Sequence, residues 1–345
     1  MRNALILAAA VLGAIASDAH AGDKSVKDWD GVCDNVGTCS ALGFTSEDRD
    51  DDSYIRITRQ AGGADAVSVL VVYDAPDSQP AQTLTLALDG QPIPGVGPVR
   101  MTGSDEGARA TLTGAPALAL AEALHNGREL TLSAGGKVVG DVSLAGSAGV
   151  LLWLDDQQGR VGTVTALIQK GPKPASAVPG PKPMPVVSVA AAVGQAGLAK
   201  RAPKGLTKGD LDCEPNPADD GSMDIVARLA PGTVLWGPLC DLAAYNALNI
   251  FFIGDEKGGH LIKIAFPEPA GSTPATDDSL MNSAFDAKTQ TLSAFAKARG
   301  PGDCGSAATW AWDGHAFRLL RETVMEPCRR VVSEDWPTLY VAQRK

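Results

Sequence analysis

Thr309-Trp310-Ala311-Trp312-Asp313-Gly314-His315-Ala316-Phe317-Arg318-Leu319 is the stretch that decides the fold. Large apolar side chains recur at every second position on both sides of Asp313-Gly314, a period that belongs to a β-strand and not to a helix. A two-residue Asp-Gly loop requires left-handed backbone at both central positions, so the stretch reads as a type I′ hairpin. In that register Trp312 opposes His315 and Trp310 opposes Phe317. With Leu319 added, one face collects the large side chains, and such a face reads as sheet core rather than as a ligand platform.

Further hairpins surround this one. Asn249-Ile250-Phe251-Phe252-Ile253 and His260-Leu261-Ile262-Lys263-Ile264 flank a polar, Gly-rich loop, and residues 282–285 and 291–296 flank Asp286-Ala287-Lys288-Thr289-Gln290. Nearer the N-terminus, Tyr54-Ile55-Arg56-Ile57-Thr58 alternates, residues 66–73 form a β-branched run, and residues 83–88 alternate before the turn dipeptide Asp89-Gly90. Glu129-Leu130-Thr131-Leu132-Ser133 alternates again. Residues 115–126, rich in Ala and Leu and stopped by Gly127, predict one helix. The fold class is therefore mainly β with a minor α+β character. An N-terminal antiparallel sandwich or barrel with one inserted helix precedes a C-terminal β-hairpin meander.

Between these parts the chain runs Gly171-Pro172-Lys173-Pro174 and on through Pro- and Ala-rich sequence to Gly205. Prolines remove donors and impose extended backbone, so residues 171–205 read as a semi-rigid linker. Two domains follow from it, 22–170 and 206–345, each of ordinary domain size.

Met1-Arg2-Asn3 followed by an apolar run over residues 4–16 and by Ala19-His20-Ala21 has the form of a secretory signal, with cleavage expected near Gly22. The apolar run is too short to span a bilayer, and no later stretch is long and apolar enough, so no transmembrane anchor is expected. All six cysteines lie beyond this segment. In an oxidising periplasmic or secreted location they pair, and sequence order gives Cys33 with Cys39, Cys213 with Cys240 and Cys304 with Cys328. They lack the C-x-x-C spacing of a zinc site, so no metal and no cofactor are expected. The net charge of −10 argues against nucleic acid. The acidic run Glu47-Asp48-Arg49-Asp50-Asp51-Asp52 lacks the spaced oxygens and central Gly of an EF-hand and reads as a solvated turn.

Asp28-Trp29, Cys33-Asp34-Asn35, Cys39-Ser40-Ala41, Leu154-Asp155-Asp156-Gln157-Gln158-Gly159-Arg160, Ala244-Tyr245-Asn246, residues 297–305, Trp312-Asp313-Gly314 and Trp336-Pro337 together resemble the domain of unknown function 1176 family of exported Gram-negative proteins. The opening Trp, Cys-Asp-Asn and Cys are also similar to invasion-associated locus B proteins. Membership implies export and β-rich structure and supplies no catalytic residue. Where the resemblance implies a Gly-rich approach to Ala-Tyr-Asn, this chain has Cys240-Asp241-Leu242-Ala243.

Little in the chain points to catalysis. No G-x-S-x-G elbow occurs, and Gly146-Ser147-Ala148-Gly149 reads as a turn ahead of a strand at 150–154. Cys304 with His315 as base and Asp303 as orienting group would form a nucleophilic set, but an available Cys328 favours a disulfide. Residues 155–160 read as a hairpin turn, with Asp155, Asp156, Gln158 and Arg160 as a candidate binding loop in which Arg160 would hold a carboxylate or phosphate. The leading function is a non-catalytic binding or accessory protein whose partner is an envelope protein, a glycan or a cell-wall component. The alternative is a hydrolase using Asp155, Asp156 or Asp303, which would need two carboxyls in one pocket at about 5 to 9 Å.

Overall fold

The structure is a computed structural model that describes residues 22–46, 53–64, 66–73, 83–104, 107–204, 206, 213, 221–269 and 276–345. The acidic run at 47–52 and the signal-like segment at 1–21 lie outside the described residues.

The N-terminal half contains β1 (Gly22–Val26), β2 (Trp29–Cys33), β3 (Cys39–Phe44), β4 (Tyr54–Arg59), β5 (Val67–Tyr73) and β6 (Thr83–Leu88). After β7 (Gln91–Pro92), β8 (Val99–Arg100), β9 (Thr102–Ser104) and β10 (Gly107–Thr113) come helix α1 (Gly114–Ala123), β11 (Glu129–Ala134), β12 (Lys137–Ser143) and helix α2 (Ser147–Gln157). A seven-stranded antiparallel sheet in the order β1-β2-β3-β4-β5-β10-β9 faces a five-stranded one built on β12-β11-β6-β7, with β8 beside β6. They enclose one core, in which Ile55, Ile57, Val69 and Val71 of the larger sheet meet Leu84, Leu86, Leu130 and Leu132 of the smaller. The arrangement is a sandwich, and the described strands close no barrel. The Asp89-Gly90 turn has left-handed backbone at both positions, and Leu88 pairs Gln91 across it. Helix α1 falls where the Ala/Leu run predicts and buries Ala117, Leu120 and Ala121.

Residues 150–154 are not a strand. They lie in α2, which begins after a left-handed Gly146 and buries Ser147, Val150, Leu151, Leu154 and Asp155 on one face. A short apolar run such as Val150-Leu151-Leu152-Trp153-Leu154 fits a buried strand as well as a helix, and here the three- and four-residue spacing of inward side chains decides. Ser147 tightens the start by donating to Leu144 O and Leu124 O, at 2.8 and 3.1 Å. Among the described residues there are therefore two α-helices rather than one, and residues 161–166 are turns rather than the return strand of a hairpin.

The Pro-rich segment contributes β13 (Val186–Val187), and the C-terminal half begins with β14 (Ile225–Ala230), β15 (Thr233–Gly237), β16 (Leu239–Leu242), β17 (Ala247–Ile250), β18 (Phe252–Gly254) and β19 (Ile262–Lys263). Next come β20 (Phe266–Pro267), β21 (Thr276–Asp277), β22 (Ser279–Met281), β23 (Ala284–Asp286) and β24 (Thr291–Lys297). The last strands are β25 (Gly305–Trp312), β26 (Phe317–Met325), β27 (Thr338–Val341) and β28 (Gln343–Arg344). The expected pair at 249–253 and 260–264 survives as β18 against β19. Residue 251 breaks the first of these strands, so β17 pairs β16 and β22 instead. The dominant sheet is the five-stranded meander β23-β24-β25-β26-β27.

The Asp313-Gly314 hairpin differs from the two-residue form. Trp312 pairs Phe317 and Trp310 pairs Leu319, leaving Asp313-Gly314-His315-Ala316 as a four-residue loop. The Asp313 carboxylate accepts from the N–H groups of His315 and Ala316, at 2.8 and 2.7 Å, so only Gly314 needs left-handed backbone. His315 is exposed in that loop, while Trp310, Trp312, Phe317 and Leu319 share a buried face as expected.

Three disulfides join Cys33 to Cys39, Cys213 to Cys240 and Cys304 to Cys328. The halves meet through a third apolar cluster, in which Leu42, Phe44, Tyr54, Leu70 and Val72 pack with Met325, Val331 and Trp336. Asp335 reinforces it by accepting from Tyr54 Oη at 2.6 Å and pairing with Arg109, and its backbone carbonyl accepts from Arg56 at 2.7 Å. The Pro-rich segment lies along both halves. Lys182 N–H donates to Val36 O, and β13 runs parallel to β28.

Gly43 stands opposite Trp29 in the β2–β3 register, and a Cβ there would lie 2.4 Å from the indole ring. The Trp29 ring, fully buried and tied to Ser143 O at 2.7 Å, has no room to yield. Gly43→Ala is expected to lower unfolding free energy by about 1–3 kcal/mol, read from urea denaturation.

Candidate functional site

Asp155, Asp156, Gln158 and Arg160 lie at the end of α2 and in the turn after it, and all but Asp156 are buried. Asp155 accepts from Arg59 Nη1 at 3.0 Å and from the N–H groups of Leu167 and Ile168 at 2.7 and 2.9 Å. Burial pushes its carboxyl above the usual range, and the two N–H groups and Arg59 pull it back. Arg59 also donates to Thr165 O. Arg160 donates to Gln158 Oε1, Thr165 Oγ1 and Gln60 O at 2.9 to 3.1 Å, while Gln158 donates to Gly37 O and Arg59 O. The chain's own atoms take up these polar groups, so the cluster clamps α2 and the following turn to β4.

The other sequence candidates are engaged elsewhere. Asp303 pairs with Arg299 and accepts from Arg330 N–H at 2.7 Å, and the Arg299 bond leads in holding its carboxyl below the usual range. It shares no hydrogen-bond partner with Asp155. Cys304 is bonded to Cys328, and His315 stands in the exposed hairpin loop.

A different set of acids meets in a cavity of the C-terminal half. On β24 and β25 the cross-strand pairs Ala294/Ala308 and Ala296/Ser306 put small side chains side by side. They floor a hollow of about 280 Å³ walled by Leu248, Leu280, Met281 and Trp310. Trp310 is fixed by its indole N–H, which donates to Pro267 O at 2.8 Å, and by Phe266, whose ring centroid lies 5.3 Å away. Glu268, Asp277, Ser279 and Glu322 supply most of the polar lining.

Glu322 reaches this face through a β-bulge. Trp310 pairs Leu319 but Thr309 pairs Arg321, so Leu320 has no partner on β25. Strict alternation from Phe317 and Leu319 would give the core face to Arg321, Thr323 and Met325. The extra residue instead turns Glu322 onto it, opposite Ala308, and sends Met325 to the other face, against Trp336. Glu322 is 8% exposed, and its Oε2 has no hydrogen-bond partner. Burial, and then Glu268, push its pKa up to about 8. Glu268, half-buried, is pushed up to about 6 by burial and by Asp277.

A family model described as protein of unknown function DUF1176 matches residues 23–343. The chain belongs to this family. It is 28% identical to the uncharacterised protein YpfG of Escherichia coli strain K12, over 93% of each chain. No solved structure matches, and the weaker resemblance to invasion-associated locus B proteins is not shown.

The family motifs quoted above mostly serve the fold. Asp34 accepts from the N–H groups of Val36 and Thr38, and Asn35 exchanges two hydrogen bonds with Val341. Asn246 donates to Lys297 O and accepts from Asn282. Glu268 and Glu322 lie outside every one of these motifs. Their only trace in the sequence is the pairing of small-residue runs, Ser306-Ala307-Ala308 with Ala294-Phe295-Ala296, which becomes readable once the register is known. Among the described residues no group of His, Cys, Asp and Glu is arranged to hold a metal ion. The pocket's acids can instead give up protons or hold a cationic group.

Two outcomes are expected. Asp155→Ala removes a buried counter-charge 3.0 Å from Arg59 and should cost about 3–5 kcal/mol in urea denaturation. Glu322, whose folded pKa is raised, favours the folded state fully below its ordinary value of 4.5, and that contribution is lost as pH rises through about 8. Glu322→Gln should therefore flatten the fall in wild-type stability across this window, gaining about 2–4 kcal/mol at pH 8.5 relative to pH 5.

Proposed function

We propose that this chain is an exported, disulfide-stapled, non-catalytic binding or accessory protein of the bacterial envelope. In this reading residues 1–21 are a signal removed near Gly22. Two β-rich domains, 22–170 and 206–345, work joined by the segment 171–205 in the periplasm or outside the cell. The partner is an envelope protein, a glycan or a cell-wall component. Three disulfides fit an oxidising compartment, and no helix among the described residues is long and apolar enough to cross a membrane.

One observation carries the binding reading: Glu322, a buried acid whose Oε2 has no hydrogen-bond partner, lines a cavity open to solvent. An unsatisfied polar group costs free energy in the folded state, and a ligand that satisfies it recovers that cost on binding. The acids proposed for the hydrolytic alternative, Asp155, Asp156 and Asp303, do not line this cavity.

The test is equilibrium dialysis of the purified protein against small-molecule and glycan fractions of envelope extract, with mass spectrometry of both compartments. Retention of an unaltered compound by wild type, lost in Glu322→Gln, is the expected result. Conversion of a compound into products over many turnovers would overturn the non-catalytic reading.

A further inference from the structure

We propose that the pocket floored by β24 and β25 binds an aliphatic ammonium group carried on a short apolar stem, as in a free alkylamine or a lysine side chain. This rests on reading the pocket as a ligand site.

Charge is the first ground. Glu268, Asp277 and Glu322 converge on one cavity, and no Lys, Arg or His lines it among the described residues. The nearby cations are committed. Lys263 pairs with Asp278 at 3.0 Å, and Arg321, opposite Thr309 and so on the other face of the sheet, donates to Thr338. Residues 269–275, between Glu268 and Asp277, carry no charged side chain at all. An anionic ligand would meet three carboxyls of its own sign, whereas a cation supplies the missing counter-charge.

The second ground is the orphaned acceptor. Glu322 is more than nine-tenths buried, lines the cavity, and has an oxygen with no donor. An ammonium group brings three donors and no acceptor, which suits a site whose ionisable groups are all acids. Shape is the third. The hollow has the volume of roughly nine waters at about 30 Å³ each, room for a side-chain-sized ligand. Its walls divide the work, with Leu248, Leu280 and Met281 placed for a methylene stem and Trp310 offering an aromatic surface that tolerates a cation.

Binding is then linked to protons. The titratable groups around Glu322 are Glu268 and Asp277 across the cavity and Tyr340 beside it on β27, whose hydroxyl burial pushes up. The strand on its other side, β25, presents only Ser306, Ala308 and Trp310. Glu268 and Glu322 lose their protons through about pH 6 and about pH 8, so affinity for an ammonium ion rises across that range. The amine keeps its own charge up to about pH 10, as a lysine does.

Isothermal titration calorimetry of the intact protein tests this with pentylammonium, 1-pentanol and pentanoate. Pentylammonium should bind at pH 8.5 at least tenfold more tightly than either of the others, and at least tenfold more tightly than it does at pH 5.5. Near pH 7 the heat should depend on the buffer's ionisation enthalpy, with proton release. Glu322→Gln should lose at least tenfold in affinity, and most of the pH dependence with it. Should that variant fold poorly, Ala308→Leu, which fills the hollow and keeps the acids, should abolish binding. Nα-acetyl-lysine amide separates the sources: its binding assigns a protein side chain, and its failure while pentylammonium binds assigns a free amine. If pentanol binds as well as pentylammonium and Ala308→Leu blocks both, the pocket is a ligand site but not for cations, and this inference falls alone. If Ala308→Leu changes the retention of no probe and no extract component, the pocket reading falls with it.

Discussion

The larger sheet of the N-terminal half is covered on both faces, and most of the molecule follows from that constraint. One face is closed by the smaller sheet and the helices, the other by the C-terminal half, so β3 is buried at every position. A polar side chain on such a sheet must find a partner within the protein. Arg59 finds Asp155 on one side, and Tyr54 and Arg56 find Asp335 on the other. Each partner lies far along the chain, so the need to satisfy buried groups on β4 ties α2 and the region near residue 335 to the same strand.

Much of this was legible in the sequence. The alternation through Tyr54-Ile55-Arg56-Ile57, the Asp89-Gly90 turn and the Ala/Leu helix depend on local backbone preference and period, and they appear where those preferences put them. What was not legible is what tertiary contact decides. Val150 to Leu154 fits either a strand or a helix until the packing of α2 on β2 and β3 selects a face. The loop after Trp312 widened because the Asp313 carboxylate caps two N–H groups, an interaction that competes with the tight turn on equal local terms. The bulge at Leu320 has no signature in Leu319-Leu320-Arg321-Glu322, yet it determines which face receives a carboxyl.

The buried charged groups divide into two kinds. Asp155, Asp303 and Asp335 meet arginines or several N–H groups, and they hold segments together. Glu322 meets Ala308 in its own sheet and an acid across the cavity. A fold that satisfies its other buried acids so fully, but leaves this one against alanines, has the contrast found between scaffold and site elsewhere among proteins.

The parallel pairing of β13 with β28 has a bearing on the order of events during synthesis. Val186 and Val187 find their strand partners only at Gln343 and Arg344, and Asn35 pairs with Val341 across a still longer separation, 306 residues. The sandwich can collapse while the chain is still growing, because its strands pair near in sequence. The clasp over the Pro-rich segment forms only after residue 344 has emerged, and the contacts of Asp335 and Trp336 with the larger sheet are nearly as late, so assembly proceeds as a zip from the front followed by fastening from the back.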